Sequence, residues 1–233
     1  MTLIDGLNKL NIEYDEHKLK QIEDYYNMLI EKNKVMNLTR ITDREDFYVK
    51  HVLDSLLLSQ VINLSDQKII DIGTGAGFPG IPIKIFFPDV EITLLDSLNK
   101  RITFLNEVIN TTGLDKIHTI HGRAEDYGKN PEFRETFDIS VSRAVADLSV
   151  LSELCIPFVK KNCFFVAYKS SEIDEEILKA KNAINKLSGS DADINKIKVP
   201  CSDIIRNMVI IEKKINTPKL YPRNPGVPSK KPL

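Results

Sequence analysis

The chain has 233 residues, 42% hydrophobic and 28% charged, which allows one or two domains with a sizeable core and excludes disorder, collagen and coiled coil as whole-chain descriptions. No apolar run approaches the roughly 20 residues that cross a bilayer, and residues 1–10 lack the basic start and apolar stretch of an export signal, so a soluble cytoplasmic protein with no membrane contact is expected. Lys and Arg number 32 against 33 Asp and Glu, yet the bases after Glu212 have no acid among them, so an acidic body carries a basic end.

The first third shows helical rather than strand spacing. Leu19, Ile22, Tyr26, Leu29 and Ile30 share one face of a helix expected from about Asp15 to Lys34. Thr42 followed by Glu45 has the form of a capping box, opening a second helix through Val49, Val52, Leu53, Leu56 and Leu57. From Lys68 the pattern changes to short apolar runs separated by helix-length segments: Lys68 to Ile72, Glu91 to Leu95, Ile117 to His121, Phe137 to Val141 and Cys163 to Tyr168. That rhythm predicts a doubly wound, mostly parallel α/β sheet. Glu172 to Leu187 reads as a helix, and the apolar run from Met208 to Ile215 is expected to close the sheet at one edge.

The bases Lys213, Lys214, Lys219, Arg223, Lys230 and Lys231 share the end with five of the 11 prolines. Such a segment reads as an extended arm without regular structure, suited to lying along phosphates, or as a solvated terminus. The expected layout is a helical cap over residues 1–64, an α/β domain over 65–215 and a basic proline-rich arm over 216–233. Cys155, Cys163 and Cys201 form neither an even disulfide set nor a metal-ligand pair, so a reducing compartment and no metal are expected.

The most informative stretch is KIIDIGTGAGFPGIPI, Lys68 to Ile83. An apolar strand runs into Gly73, Gly75, Gly77 and Gly80, with Pro79 suited to a first helical turn. Glycines there let the backbone turn sharply and approach a ligand, while the helix start attracts negative charge. Gly75, Gly77 and Gly80 also satisfy the dinucleotide fingerprint, and Asp96, closing the second strand, suits ribose hydroxyls in either case. Asp71 separates the two ligands. A carboxylate at the strand end would repel a diphosphate and help balance the sulfonium and ammonium of S-adenosylmethionine.

His121 to Asp126 places Ala124 and Glu125 on a loop at the same carboxyl edge, where a backbone N–H and a carboxylate could read an adenine edge; a solvated charged loop is the plain alternative. Arg123, Arg143 and Lys169 leave neighbouring strands and are expected to gather at one rim.

These residues resemble the bacterial small-subunit ribosomal RNA guanine-N7 methyltransferases, also called glucose-inhibited division protein B. The likeness runs from about Asn37 to Lys169, through MNLTRI at 36–41, KHVLDSLLL at 50–58, DIGTGAGFPGIPI at 71–83, LLDSLNKRITFL at 94–105, GRAED at 122–126 and SRAVADL at 142–148. The ending PKLYPRNPGVPSKKP resembles the Bacillus-like branch. Cys163 and Ser170 depart from it, standing where many members have glycine.

The resemblance implies a class I, Rossmann-like S-adenosylmethionine-dependent fold. It also implies methyl transfer to N7 of one guanine in the 530 loop of 16S rRNA, leaving S-adenosylhomocysteine. By matched motif, Gly73 and Phe78 hold the donor from the first loop, Asp96, Ser97 and Leu98 line its ribose side, and Ala124 and Glu125 its adenine side. Arg143 completes the pocket. Asn37, Arg40 and His51 match motifs that could line the guanine entrance.

Guanine N7 carries an in-plane lone pair, so no general base is required and positioning is the main contribution. N7 in an A-form helix lies in a groove closed to side chains, so the target is an unpaired or extruded base in 16S rRNA or the small subunit. Arg123, Arg143 and Lys169 are candidates to hold it. The protein is expected to act as a monomer. The alternatives are a same-fold methyltransferase acting on another RNA or a protein, a dinucleotide-dependent oxidoreductase, and a non-catalytic RNA-binding module.

Overall fold

The computed structural model describes residues 2–143, 145–170 and 172–233. Ala144 of the SRAVADL motif lies outside the described residues. The chain begins with α1 (Thr2–Lys9) and α2 (Glu16–Met36). Asp15 caps α2, its carboxylate accepting the Lys18 N–H at 2.8 Å, and Asn37 ends it in the left-handed region, φ 49°. Ile22, Tyr25 and Leu29 are buried along α2. The next helix, α3 (Arg44–Phe47), is capped by Asp43, which accepts from the Asp46 N–H at 3.0 Å. Asp43 therefore displaces Thr42 as the expected cap, because its carboxylate reaches the third helical amide.

No single helix continues from there. The backbone widens into a π-helical turn over Tyr48–Leu53, returns to α geometry in α4 (Asp54–Leu56) and tightens to a 3-10 turn over Leu57–Gln60. Gly6 of α1 lets Leu53 approach closely: a Cβ there would lie 2.2 Å from Leu53 Cδ1.

Seven strands form one sheet, β1 (Lys68–Ile72), β2 (Glu91–Asp96), β3 (Ile117–His121), β4 (Phe137–Arg143), β5 (Val159–Lys169), β6 (Asp193–Lys198) and β7 (Ile205–Glu212), in the order β3-β2-β1-β4-β5-β7-β6. The first five are parallel and β7 runs antiparallel to both β5 and β6. The run ending at Ile215 is therefore not the sheet edge. β6 lies outside it, and its sequence DINKIK hid it: two isoleucines three apart break the period of two, and its exposed lysine and aspartate suit an unpaired edge.

α5 (Gly80–Phe86), α6 (Asn99–Thr112), α7 (Ala124–Tyr127), α8 (Leu148–Cys155) and α9 (Asp174–Lys186) make the crossovers. One buried cluster joins α1, α2 and the 44–60 helical segment to the sheet through Leu29, Phe47, Leu53, Ile81, Leu94 and Phe104. A second lies under α8 and α9, around Ile70, Leu151, Phe158, Phe165 and Ala183. Each face of the sheet thus buries its own apolar layer.

The end of the chain folds back on the body. Lys213, 1% exposed, donates to Glu135 Oε1 at 2.7 Å. The Arg134 guanidinium gathers the carbonyls of Gly128, Thr217 and Tyr221 at 2.6–2.8 Å. Arg223 pairs with buried Glu153 at 2.6 Å. A short helix, α10 (Val227–Lys230), follows, with Pro228 in its first turn, where a missing N–H costs no helical hydrogen bond. The segment thus lies folded on the body rather than extended from it, and among the described residues α10 is its one regular element.

Candidate active site

A cavity of about 500 Å³ opens at the carboxyl ends of β1, β2, β3 and β4, where the strand order reverses around β1. The loop after β1 floors it. Gly73 and Thr74 donate their N–H groups to Leu95 O at 2.8 and 3.2 Å, and Gly75 donates to Asp96 Oδ2 at 2.9 Å. Gly73 and Gly75 hold φ values of +71° and +64°, and a Cβ on Gly73 would lie 2.7 Å from Val145. Only glycine meets both demands at position 73.

Two of the expected loop residues face elsewhere. Gly77, φ +106°, turns towards Ile81 and Leu105, which a Cβ would meet at 2.6 and 2.8 Å, so it serves the packing of the loop on α5 and α6. Asp71 is fully buried beneath the loop. Its Oδ2 accepts from Thr74 Oγ1 at 2.7 Å and from the Gly80 N–H at 2.9 Å, while Oδ1 has no partner. Burial pushes its pKa up to about 6, although both donors and the Arg143 charge pull the other way. Asp71 does not line the cavity. It ties the two ends of the loop together, so any balancing of a bound cation acts through the loop from beneath the cavity rather than in its lining.

Asp96, 2% exposed, closes the β2 side. Its oxygens accept from Gly75 N–H, Leu98 N–H and Arg101 Nη1 at 2.9, 2.9 and 3.1 Å. These three donors leave carboxylate lone pairs for a ligand hydroxyl. Ser97 lines the cavity; Leu98 contributes its N–H to Asp96 while its side chain is 43% exposed and outside the lining. Ala124 and Glu125 form the wall after β3. Glu125 Oε1 accepts from the Gly226 N–H at 2.8 Å and from Arg123 at 3.2 Å. Burial works to raise the Glu125 pKa, but these donors hold it below the usual carboxylate value, so it is ionised.

The opposite end is built by the 37–54 segment and β4. His51 stacks on Phe78 with centroids 4.2 Å apart and planes 8° from parallel, and the Arg143 guanidinium stands 5.2 Å from the Phe78 centroid. Arg143 donates to Asp54 Oδ2 at 2.7 Å, Lys50 O at 3.2 Å and His51 Nδ1 at 3.1 Å. His51 Nδ1 is thereby an acceptor, so Nε2 carries the proton and donates to Thr39 Oγ1 at 2.9 Å. Burial and the Arg143 charge lower the His51 pKa to about 3, and the ring is neutral. Thr39 Oγ1 also accepts from the Ile41 N–H at 3.0 Å, which leaves the hydroxyl proton free to donate.

The three cations expected at one rim are each engaged, and one of them is outside the cavity. Arg123 and Arg143 line the cavity, paired with Glu125 and Asp54. Lys169 is not in the lining; it donates to Glu176 and to Ala146 O at 2.5 and 2.7 Å, bracing the loop after β4. Asn37 is the exposed cap of α2, and Arg40 is exposed nearby; neither lines the cavity, whereas Leu38 and Thr39 between them do. The sequence reading also missed Arg101, Val145, Arg206 and Ser229. Arg206 meets Asp54 Oδ1 at 2.7 Å from β7, a contact across 152 residues that no local signal announces. Thr39 could have been found, since it sits inside the MNLTRI motif.

The lining suits S-adenosylmethionine in size and donors: its volume lies within the usual range for small-ligand pockets. A glycine floor, a hydroxyl-accepting carboxylate and a wall with an ionised glutamate stand at one end. An aromatic platform with an oriented hydroxyl stands at the other.

The family model described as rRNA small subunit methyltransferase G matches residues 18–206. A ribosomal RNA small subunit methyltransferase G from Alkaliphilus metalliredigens is 47% identical over 234 residues, covering 100% of this chain and 98% of that one. The Clostridium novyi protein of the same name is 49% identical, covering 96% and 93%. Among solved structures, a putative S-adenosyl-L-methionine-dependent methyltransferase from Methanococcus maripaludis matches with TM-score 0.58 and 16% identity, over 82% of this chain and 93% of that one. A TYW2 from M. jannaschii in complex with AdoMet matches with TM-score 0.52 and 15% identity, over 69% and 76%. Those two likenesses concern the fold.

Proposed function

The chain belongs to the rRNA small subunit methyltransferase G family, and from that premise we propose that it methylates N7 of a guanine in the 530 loop of 16S rRNA, with Gly73, Gly75, Phe78, Asp96, Ser97, Ala124 and Glu125 holding the donor. It is an S-adenosylmethionine-dependent rRNA methyltransferase. The observation that carries the site assignment is one cavity with two unlike ends: the Gly73–Gly75 floor with Asp96 at one, and the His51–Phe78 stack with Thr39 and Arg143 at the other.

S-adenosylmethionine supplies an electrophilic methyl carbon on a sulfonium. The guanine N7 lone pair forms the new C–N bond as the C–S bond breaks, and no proton has to leave first. The protein's task is therefore orientation, which alone can account for about 7–11 kcal/mol of barrier. His51 fits that task. Both ring nitrogens are occupied and the ring is neutral, so it offers a flat face and a fixed position rather than a proton relay. Thr39 has one hydroxyl proton to give to a base acceptor such as O6. Arg143, locked by Asp54, fixes the platform from behind.

A ribosomal RNA substrate supports a cytoplasmic setting, and action as a monomer is part of the same reading. Lys219, Lys230 and Lys231 are exposed and form no ion pair among the described residues, which supports contact with RNA phosphates.

The deciding experiment is mass-spectrometric mapping of 7-methylguanine in 16S rRNA from cells with and without this gene, repeated with purified protein and labelled donor. Loss of the mark at the 530 loop, restored by the wild-type protein, is the expected result. An unchanged mark, with methyl appearing on a different RNA or on a protein, would overturn the acceptor assignment.

A further inference from the structure

The cofactor end of the cavity takes one lining residue, the exposed Ser229, from the far end of the chain. Ser229 lines the cavity, in the same lining as Ala124, Glu125 and Leu154. Two contacts hold it there. The Gly226 N–H donates to Glu125 Oε1 at 2.8 Å, at a residue with φ +80° whose surroundings leave open space, so glycine is required by the backbone rather than by crowding. Three residues earlier, Arg223 grips Glu153 through its own N–H, Nε and Nη2, at 2.6–3.1 Å. Glu153 is 1% exposed and adjoins Leu154, so the buried acid and the cavity wall share one turn of α8.

Neither contact is part of the sheet, and the tail's apolar packing is made by Tyr221 and Leu233 on either side of them. Both join the turn at 223–229 to residues that are in the cavity wall or next to it. Glu125 lies on the wall assigned above to the adenine side of the donor.

We propose that residues 226–229 are an integral wall of the cofactor site, with Ser229 against the adenosine half of S-adenosylmethionine, and that Arg223–Glu153 is the positioning pair that holds this wall; the inference rests on the cofactor assignment given under Proposed function. The tail is thus a determinant of donor affinity rather than only a basic appendage. Because coupling is reciprocal, whatever the wall adds to cofactor affinity the cofactor adds to the stability of the wall.

The test uses S-adenosylhomocysteine with the full-length protein, the R223A and R223K variants, and a chain ending at Pro225. Titration calorimetry is expected to give a Kd about ten-fold weaker for the shortened chain and about five-fold weaker for R223A, the sizes of one to two lost contacts. R223K, keeping the charge without the fork, falls between R223A and wild type. In full-length protein, S-adenosylhomocysteine slows amide exchange across 223–231. A loss that is merely structural would lower the urea midpoint of R223A and leave its Kd unchanged well below that midpoint.

Should the shortened chain fail to fold, the exchange experiment and R223A still decide. Binding by wild type with tail exchange unchanged and R223A within about two-fold of it would overturn this inference while leaving the cofactor assignment in place. Failure of the wild type to bind S-adenosylhomocysteine would overturn both.

Discussion

Asp54 and Arg143 meet at 2.7 Å across 89 residues of chain, and the second oxygen of the same carboxylate takes Arg206 at 2.7 Å. Asp54 is 1% exposed and Arg143 about 10%. One acid therefore fastens the 44–60 helical segment to β4 and β7 and fixes the guanidinium that orients His51. Removing it leaves two poorly hydrated cations without their acidic partner, so Asp54→Ala should cost roughly 3–5 kcal/mol in urea unfolding. Methyl transfer should fall further than the folded fraction accounts for, as His51 loses its orienting donor.

Two buried groups give opposite dependences of stability on pH. Asp71, held at about 6 against an ordinary value of 3.8, binds its proton more tightly folded than unfolded, so stability drops as pH rises through 3.8 to 6. His51, lowered to about 3 from 6.5, does the reverse: the unfolded chain takes the proton first, so stability drops as pH falls from 6.5 towards 3. Each group alone contributes a slope of about 1.4 kcal/mol per pH unit inside its window, and the two largely cancel between pH 4 and 6. Urea titrations at pH 4, 5 and 6 should show Asp71→Asn gaining stability with pH and His51→Asn losing it.

The six bases of the C-terminal segment divide into structural and exposed sets. Alanine at Lys219, Lys230 and Lys231 together should weaken binding to a 530-loop RNA and reduce the slope of log K against log salt by up to about 2. Lys213→Ala should leave that slope alone. It strips the partner from Glu135 and opens a buried site, so the expected signature is destabilisation of about 1–3 kcal/mol.

Gly80 starts α5 in a space with no room for a side chain: a Cβ would lie 2.3 Å from Leu94 Cδ2 and 3.1 Å from Asp71 Oδ2. Gly80→Ala should lower stability by about 1–3 kcal/mol and displace the loop that floors the cavity. Its affinity for S-adenosylhomocysteine, measured by calorimetry, should fall with it.

The five parallel strands were legible because each is a short apolar run set off by helix-length spacers, and the glycine loop because φ above zero and close approach both demand glycine. The face a residue presents was harder to read. Asp71 and Gly77 belong to the motif but support the loop from below, because a motif records which residues are needed and not which side of the backbone meets the ligand. Lys169 is turned aside by Glu176 only seven residues on, while Arg143 looks like a free cation in sequence, yet its partner Asp54 lies 89 residues away. The fold-back of 213–233 was illegible for the same reason. Its anchors Arg134, Glu135, Glu153 and Glu125 lie 70–101 residues away, and local composition carries no trace of them.

The widened turn at Tyr48–Leu53 sets the angular relation between Phe47, which packs in the core, and His51, which lies flat on Phe78. A π turn accommodates one residue more than an α turn does. Shortening 48–53 by one residue would let the segment wind as an ordinary α-helix with the turns on either side kept in phase, so the side chains inside it, His51 among them, would be re-aimed. Asp54 and His51 could then no longer meet the same guanidinium. The aromatic shelf for the base therefore depends on the length of this segment as much as on its composition, and a family member one residue shorter here would need a different way of presenting an imidazole.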